Sequence, residues 1–495
     1  MKLGAQTFLV TVLLTPLLAG FATRTTAQSR IAHTLKFAVE LGETPAPDKG
    51  LASNSVTDIR FLNGTVWVAT GNGLSRSRDN GLTWESFGEK HGLGKGGVSA
   101  LAVTDSVIWV ATAFDTVTKD AGKLPAGGGL SYSTDGGATW THVSQPGPTP
   151  VQNVTYDIAL LGRAVWITSW GGGLRKSEDR GQTWEVVTPD TFLFDPLGNL
   201  NHRAFSVIAV DSTLWVGTAK GVNRSTDGGR TWVNFNHQNQ LHPISGNFVV
   251  ALAHQRWRGR DRIWAATVET TSETGDTTEF RGVSWTDDNG ETWQTALRGQ
   301  FAHNFAFDDS VVYVCTDSGL FRSVDLGKTW YRYGEIQDAS SGEHFWSTEF
   351  YGAGVDTQHR LWAGGGDGLV MTADNGNSWH IFRSFVPTGK SGEVRTYAYP
   401  NPFSPARHNV LGGEGHVRFQ YNTTRPTRVT LRIYDFAMQH VATVVEGKER
   451  SIPGDYSEVW NGRNEAGKIV ANGVYFYRLD LEGEGSYWGK LIILD

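Results

Sequence analysis

Seven times along the chain an aspartate stands between hydroxyl-bearing neighbours, in the pattern Ser/Thr-x-Asp-x-Gly-x-Thr/Ser-Trp. The aspartates are Asp79, Asp135, Asp179, Asp227, Asp288, Asp325 and Asp374. A carboxylate in that setting could hold calcium, act as an acid, or accept backbone N–H groups across a tight turn. One carboxylate per turn is too few for a calcium shell. The turn role fits: Asp caps the turn as in an Asx turn, and Gly supplies the positive φ that closes it. The seven aspartates are therefore expected to be structural, and no metal site is expected.

Other reactive groups are sparse. Cys315 is the one cysteine, so neither an intrachain disulfide nor a paired-cysteine zinc site can form. The 14 histidines show no zinc-ligand spacing. No HExxH, GxSxG or helix-opening GxGxxG occurs. Gly389-Lys390-Ser391 ends like a phosphate-binding loop, but Ser384 stands where the first glycine is needed, so this segment reads as linker. No cofactor is expected.

The boxes recur about every 49 residues between Trp84 and Trp379, the length of a four-stranded blade with its loops. Before each box lies a short β-rich run with one aromatic: Trp67, Trp109, Trp166, Trp215, Trp264, Tyr313 and Trp362. Each unit thus reads as inner strand, turn, aromatic-bearing strand, Gly-rich turn, third strand, box turn and outer strand. The expected fold is all-β: a seven-bladed β-propeller over residues 50–385, with the aromatics wedged between blades.

After a polar linker at 386–394 the pattern changes. Tyr399-Pro400-Asn401-Pro402-Phe403, the run closing on Ile433-Tyr434-Asp435, Trp460-Asn461-Gly462 and Gly473-Val474-Tyr475-Phe476-Tyr477 alternate as strands do. Residues 395–495 are expected to form a small Ig-like β-sandwich, and a chain ending near Ser391 is expected to melt cooperatively without it.

The seven boxes resemble the Asp-box (BNR) repeats of sialidases, xyloglucanases, sortilin-type receptors and the propeller-type photosystem II assembly factor. The C-terminal motifs resemble the Ig-like module of the flagellar hook-capping family and the sorting domain of type IX secretion. These resemblances imply a propeller shared by enzymes and binding proteins, and a tail that engages outer-membrane secretion machinery. The Phe/Tyr-Arg-Ile-Pro segment that a sialidase carries is missing.

Residues 1–27 read as a signal peptide: Met1-Lys2, an apolar run from Thr7 to Leu18, then small residues. Residues 28–49 form a lead-in. No later stretch reaches the length of a transmembrane helix. With 50 acidic and 44 basic side chains the chain lacks the basic surplus of a nucleic-acid binder. An exported bacterial protein, secreted or on the outer cell surface, is expected.

The resemblance places the boxes on one face of the ring and the interblade and Gly-rich loops on the other. Candidate ligand residues on the loop face are Trp170, His202, Arg203, Asn247, His303, Asn304, Glu343, His344 and Trp346, expected to ring the central opening. Removal of Arg203 with Trp346 is expected to abolish binding. Segments 113–127 and 269–280 are expected to be long loops there. The primary expectation is a non-catalytic binding module for an extracellular glycan, peptide or protein. The alternatives are a glycoside hydrolase, which needs two convergent loop-face carboxylates, and an assembly factor for a membrane complex.

Overall fold

The computed structural model describes residues 50–495 apart from 120–121, 271–274, 276, 340–341, 385–387, 389–394 and 411–412. The expected signal segment, the lead-in and most of the linker lie outside the described residues.

Seven four-stranded antiparallel sheets follow one another as simple meanders: Val56–Phe87, Gly97–Val143, Thr155–Val187, Ala204–Phe235, Phe248–Ala296, Ala302–Arg332 and Phe350–Phe382, here blades 1 to 7. Each blade takes all four strands from one continuous stretch. The ring closes by packing the inner strand of blade 7 on that of blade 1. Asn54 pins the seam. Its side-chain oxygen accepts from Ser384 N at 2.6 Å, its amide donates to Ser384 O at 3.1 Å, and its carbonyl accepts from Gly368 N at 2.7 Å.

The seven landmark aromatics are nearly inaccessible, none above 3% exposed, so the apolar area that drives folding lies between blades. The boxes lock against them. In blade 2, Ser133 Oγ accepts from Gly137 N at 2.7 Å and donates to Asp135 Oδ1 at 2.7 Å. The Asp135 carboxylate also accepts from Thr139 N at 2.9 Å and Thr139 Oγ1 at 2.5 Å. All seven boxes repeat this pattern, which leaves the carboxylates engaged within their own turns. Box glycines sit against aromatic edges of the preceding blade. At Gly229, φ is +89° and a Cβ would lie 2.4 Å from Trp166, so only glycine fits.

Segment 113–127 is not a loop. The middle strands of blade 2, Ile108–Thr118 and Gly122–Ser133, continue their ladder from Ala113↔Gly127 to Thr118↔Gly122 and project as a hairpin. Its β-branched run Thr116-Val117-Thr118 favours the pleated form over a coil.

The C-terminal unit is a sandwich of two sheets. Strands Thr396–Tyr399, Val417–Thr423 and Gly454–Trp460 form one; His440–Arg450, Thr427–Tyr434, Gly473–Leu481 and Gly485–Ile493 form the other. Phe419, Leu431, Tyr477 and Leu491 pack between them.

The boxes yield a stability prediction. Ser133 is buried and serves a buried N–H, whereas the Asp135 carboxylate accepts from exposed groups. Ser133→Ala should cost about 1–3 kcal/mol by orphaning that donor. Asp135→Ala should lower the melting temperature by less. Thermal melts of both variants check the order.

Candidate functional site

All seven inner strands carry a β-bulge near their start, one residue in for five of them and two residues in for blades 2 and 5. The bulged residues are Thr57, Ser99, Tyr156, Phe205, Val250, His303 and Tyr351. A bulge adds a residue to one strand and re-aims its side chain. Here all seven line one cavity of about 140 Å3 at the centre of the ring, near the end where the interblade loops enter.

In blades 1, 3, 4 and 6 the residue after the bulge is polar, and these side chains form a hub that ties blades together. Asp157 of blade 3 accepts from Ser206 Oγ at 2.7 Å and from Val207 N at 2.9 Å in blade 4, and from Ile158 N at 2.9 Å. Ser206 Oγ in turn accepts from Leu252 N of blade 5 at 2.9 Å. Asn304 of blade 6 donates to Asp58 Oδ1 of blade 1 at 3.2 Å. Blade 7 offers Gly352 at the equivalent place, where a Cβ would lie 2.9 Å from Asp58 Cα. The absent side chain lets blades 7 and 1 close up. Arg60 bonds Asp58 at 3.0 Å and donates to Leu101 O of blade 2 at 3.3 Å.

Burial dominates both hub acids. It pushes the Asp157 carboxyl up to about 6, against the pull of Ser206, the Val207 amide and Arg60. Burial likewise raises Asp58, opposed first by Arg60. Among the described residues no group of three or more His, Cys, Asp or Glu is placed to hold a metal ion.

Of the nine candidate residues, His303 and Asn304 line this cavity. His303 bonds Asp317 at 2.6 Å and meets the Tyr351 ring edge-on at 5.0 Å. Four others brace loops. His202 is buried, bonded to Asp190 at 2.8 Å and to Asp195 N at 2.9 Å. Arg203 lies over Trp170 at 5.6 Å and donates to Pro196 O and Leu197 O. Asn247 ties Gln238 and Glu279 together at 2.7 and 2.9 Å. Trp170, His202, Arg203 and Asn247 sit buried at loop bases, where the three polar side chains hydrogen-bond loop groups and Trp170 packs beneath Arg203.

Glu343, His344 and Trp346 lie at a seam between propeller and sandwich. The His344 and Trp346 rings are 5.4 Å apart, and Trp346 packs at a tilt against His416 of the sandwich at 4.5 Å. Glu343 bonds Arg383 at 3.0 Å and accepts from sandwich Ser457 at 3.1 Å. At the centre of the seam sits Asp367, fully buried, held by Arg383 at 2.9 Å and by Arg418 of the sandwich at 2.8 Å. Burial pushes the Asp367 carboxyl up, yet the two guanidinium groups together hold it well below the ordinary carboxylate range. The sandwich is therefore docked on blade 7 rather than simply appended. Tyr351 lines both the central cavity and a small crevice along this seam.

Sequence reasoning missed Asp58, Arg60, Tyr156, Asp157, Ser206 and Tyr351. A signal was present: Val56-Thr57-Asp58, Thr155-Tyr156-Asp157 and Phe205-Ser206 put polar residues early in runs otherwise apolar.

Around the cavity the loop face is uneven. The blade 2 hairpin exposes Val117 on its projecting part, and the loops after blades 3 and 4 expose Phe192, Leu193 and Leu241, each more than two-thirds exposed.

Comparison with known proteins follows the same division. Residues 406–484 match the FlgD Ig-like domain. The chain is 31% identical over 136 residues to xyloglucanase Xgh74A of Acetivibrio thermocellus, a match covering 22% of this chain. It spans only 16% of the xyloglucanase's own length. The structure superposes on the GH74 enzyme of Niastella koreensis with a TM-score of 0.52 and 15% identity, over 91% of this chain and 74% of that one. PorZ, described as a surface component of the type IX secretion system of Porphyromonas gingivalis, aligns at 15% identity with a TM-score of 0.43, over 89% of this chain and 66% of that one. No helix among the described residues is long and apolar enough to cross a membrane. The chain is an all-β propeller followed by an Ig-like sandwich.

Two predictions follow from these bonds. Arg418→Ala leaves a buried carboxylate with one of its two cations and should destabilise the protein by about 3–5 kcal/mol. Denaturant melts of the full chain measure it. The second concerns pH. Asp157 has an ordinary value of 3.8 and titrates near 6 when folded. Between these values the folded chain holds a proton that the unfolded chain has released, so this residue's contribution to stability falls as pH rises from about 4 to 6. In Asp157→Asn that contribution is gone, and the difference in melting temperature between pH 5 and pH 7 should change accordingly.

Proposed function

We propose that the chain is an exported, non-catalytic binding protein whose propeller takes a peptide or protein partner on the loop face, with one side chain of the partner inserted in the central cavity. One observation carries the reading: the hub acids are engaged in holding the ring. Asp157 accepts three hydrogen bonds, two of them from the next blade, and Asp58 is bonded to Ile59 N, Asn304 and Arg60. A glycosidase needs one carboxyl free to give a proton and another free to attack or to activate water.

Cavity size points the same way. About 140 Å3 admits a side chain but falls short of the roughly 300–1,000 Å3 typical of pockets that enclose whole ligands. The exposed apolar tips Val117, Phe192, Leu193 and Leu241 are suited to a protein surface. Export of the chain and engagement of its tail by secretion machinery rest on the signal-like N-terminus and on the Ig-like match.

One observation favours a hydrolase instead. Asp157 titrates near 6 in a cavity that holds a second carboxylate, and part of the chain is related to a xyloglucanase.

A single experiment separates the two. The full chain is incubated with xyloglucan and assayed for reducing ends, and in parallel panned against a random peptide library. The binding reading expects no release above that of Asp157→Asn, and enriched peptides whose binding is lost in His303→Ala/Tyr351→Ala with an almost unchanged melting temperature. Reducing-end release by the parent protein that disappears in Asp157→Asn would establish the hydrolase.

A further inference from the structure

The bulged residues that line the central cavity are of two kinds. Tyr156 and Phe205 on blades 3 and 4, and His303 and Tyr351 on blades 6 and 7, carry rings; Thr57, Ser99 and Val250 on blades 1, 2 and 5 do not. The Tyr156 and Phe205 rings lie 5.6 Å apart, and those of His303 and Tyr351 5.0 Å apart. Inner strands pack in chain order around the ring. The two aromatic pairs therefore stand on roughly opposite sides of the opening.

Charge in this cavity is uneven. Among the described residues its lining holds two carboxylates, Asp58 and Asp157, and one guanidinium, Arg60. Arg60 is already engaged: it bonds Asp58 at 3.0 Å and donates to Leu101 O at 3.3 Å. The three donors to Asp157 are neutral, two backbone amides and the Ser206 hydroxyl. A carboxylate offers about four acceptor positions, so these bonds do not exhaust it. Further acids stand behind two of the rings. His303 is paired with Asp317, and the Tyr351 hydroxyl donates to Glu349. The Ser99 hydroxyl, also on the lining, makes no hydrogen bond to any described residue.

We propose that the partner's inserted side chain is basic, and that the cavity is a socket for one lysine or arginine. This rests on the peptide-binding reading above and names the chemistry of its anchor. Aromatic rings attract a cation through their faces, more strongly where water is excluded. The Asp157 carboxylate supplies the opposite charge, and the Ser99 hydroxyl an acceptor for a further N–H. Other side chains fit less well. An anionic one would meet two carboxylates, with the one lining guanidinium already taken. An apolar one would suit the rings but strip water from Asp157 without replacing it.

The test takes the peptides that the full chain enriches from a random library and replaces their residues one at a time. Each is expected to hold one Lys or Arg whose replacement by norleucine, which keeps an apolar stem and removes the charge, weakens binding about tenfold or more. Exchanging Lys and Arg at that position shows which of the two the socket prefers. Asp157→Asn should bind the basic and norleucine peptides almost equally. Tyr351→Leu, which removes a ring from a half-buried position and leaves the hub bonds in place, should also weaken the basic peptide and guards against misfolding of Asp157→Asn. Leu82→Ser, on an exposed box turn, should change neither. Enriched peptides that bind as well with norleucine as with Lys or Arg would overturn this inference and leave the peptide-binding reading standing. A basic residue required equally by the parent, Asp157→Asn and Tyr351→Leu would place its contact elsewhere and overturn it too. Failure to enrich any peptide would overturn both.

Discussion

A ring of seven sheets has to close on itself, and among the described residues no strand crosses the seam. Every blade is built from its own continuous segment. Closure therefore falls to side chains and to backbone groups at the two ends of the propeller sequence. Asn54 clasps Ser384 at the outside of the seam, while at the hub Asn304 reaches past the glycine-bearing inner strand of blade 7 to Asp58. The same constraint explains the hub acids. A buried carboxylate is costly unless hydrogen-bonded, and the bulge that opens each inner strand delivers neighbouring N–H and hydroxyl groups to Asp157 and Asp58.

That arrangement gives the two faces of the ring different capacities. The box face is seven near-copies of one turn, each with its carboxylate saturated by its own threonine or serine. A surface so uniform offers an asymmetric ligand no preferred orientation. The loop face differs from blade to blade: a projecting hairpin on blade 2, apolar loop tips after blades 3 and 4, and the sandwich docked at blade 7. Tyr351 lines both its central cavity and a crevice beside the sandwich.

The repeat was legible because its parts are local. Ser, Asp, Gly, Thr and Trp lie within eight residues and make one turn, so spacing alone gives blade number and strand order. The sandwich was legible from alternation. The site was not, because it is assembled at long range. His303 and Asn304 were found by their place at the start of an inner strand, but that rule also selected His202, Arg203 and Asn247. These sit before the strand, where the chain is still a loop and its polar groups are taken up in bracing it. Glu343 and Trp346 were misplaced for another reason. Nothing in a linear pattern announces that Arg418 will cross from the sandwich to a buried Asp367.

The central claim is that the loop face, and not the box face, meets the partner. Its most direct test is site-specific photocrosslinking in the cell that makes the protein, with a benzophenone amino acid replacing Tyr351 at the cavity or Leu82 and Val324 on the exposed box turns. Discrete crosslinked products from position 351, and none from 82 or 324, are predicted. Products from the box turns with a silent position 351 would contradict the account.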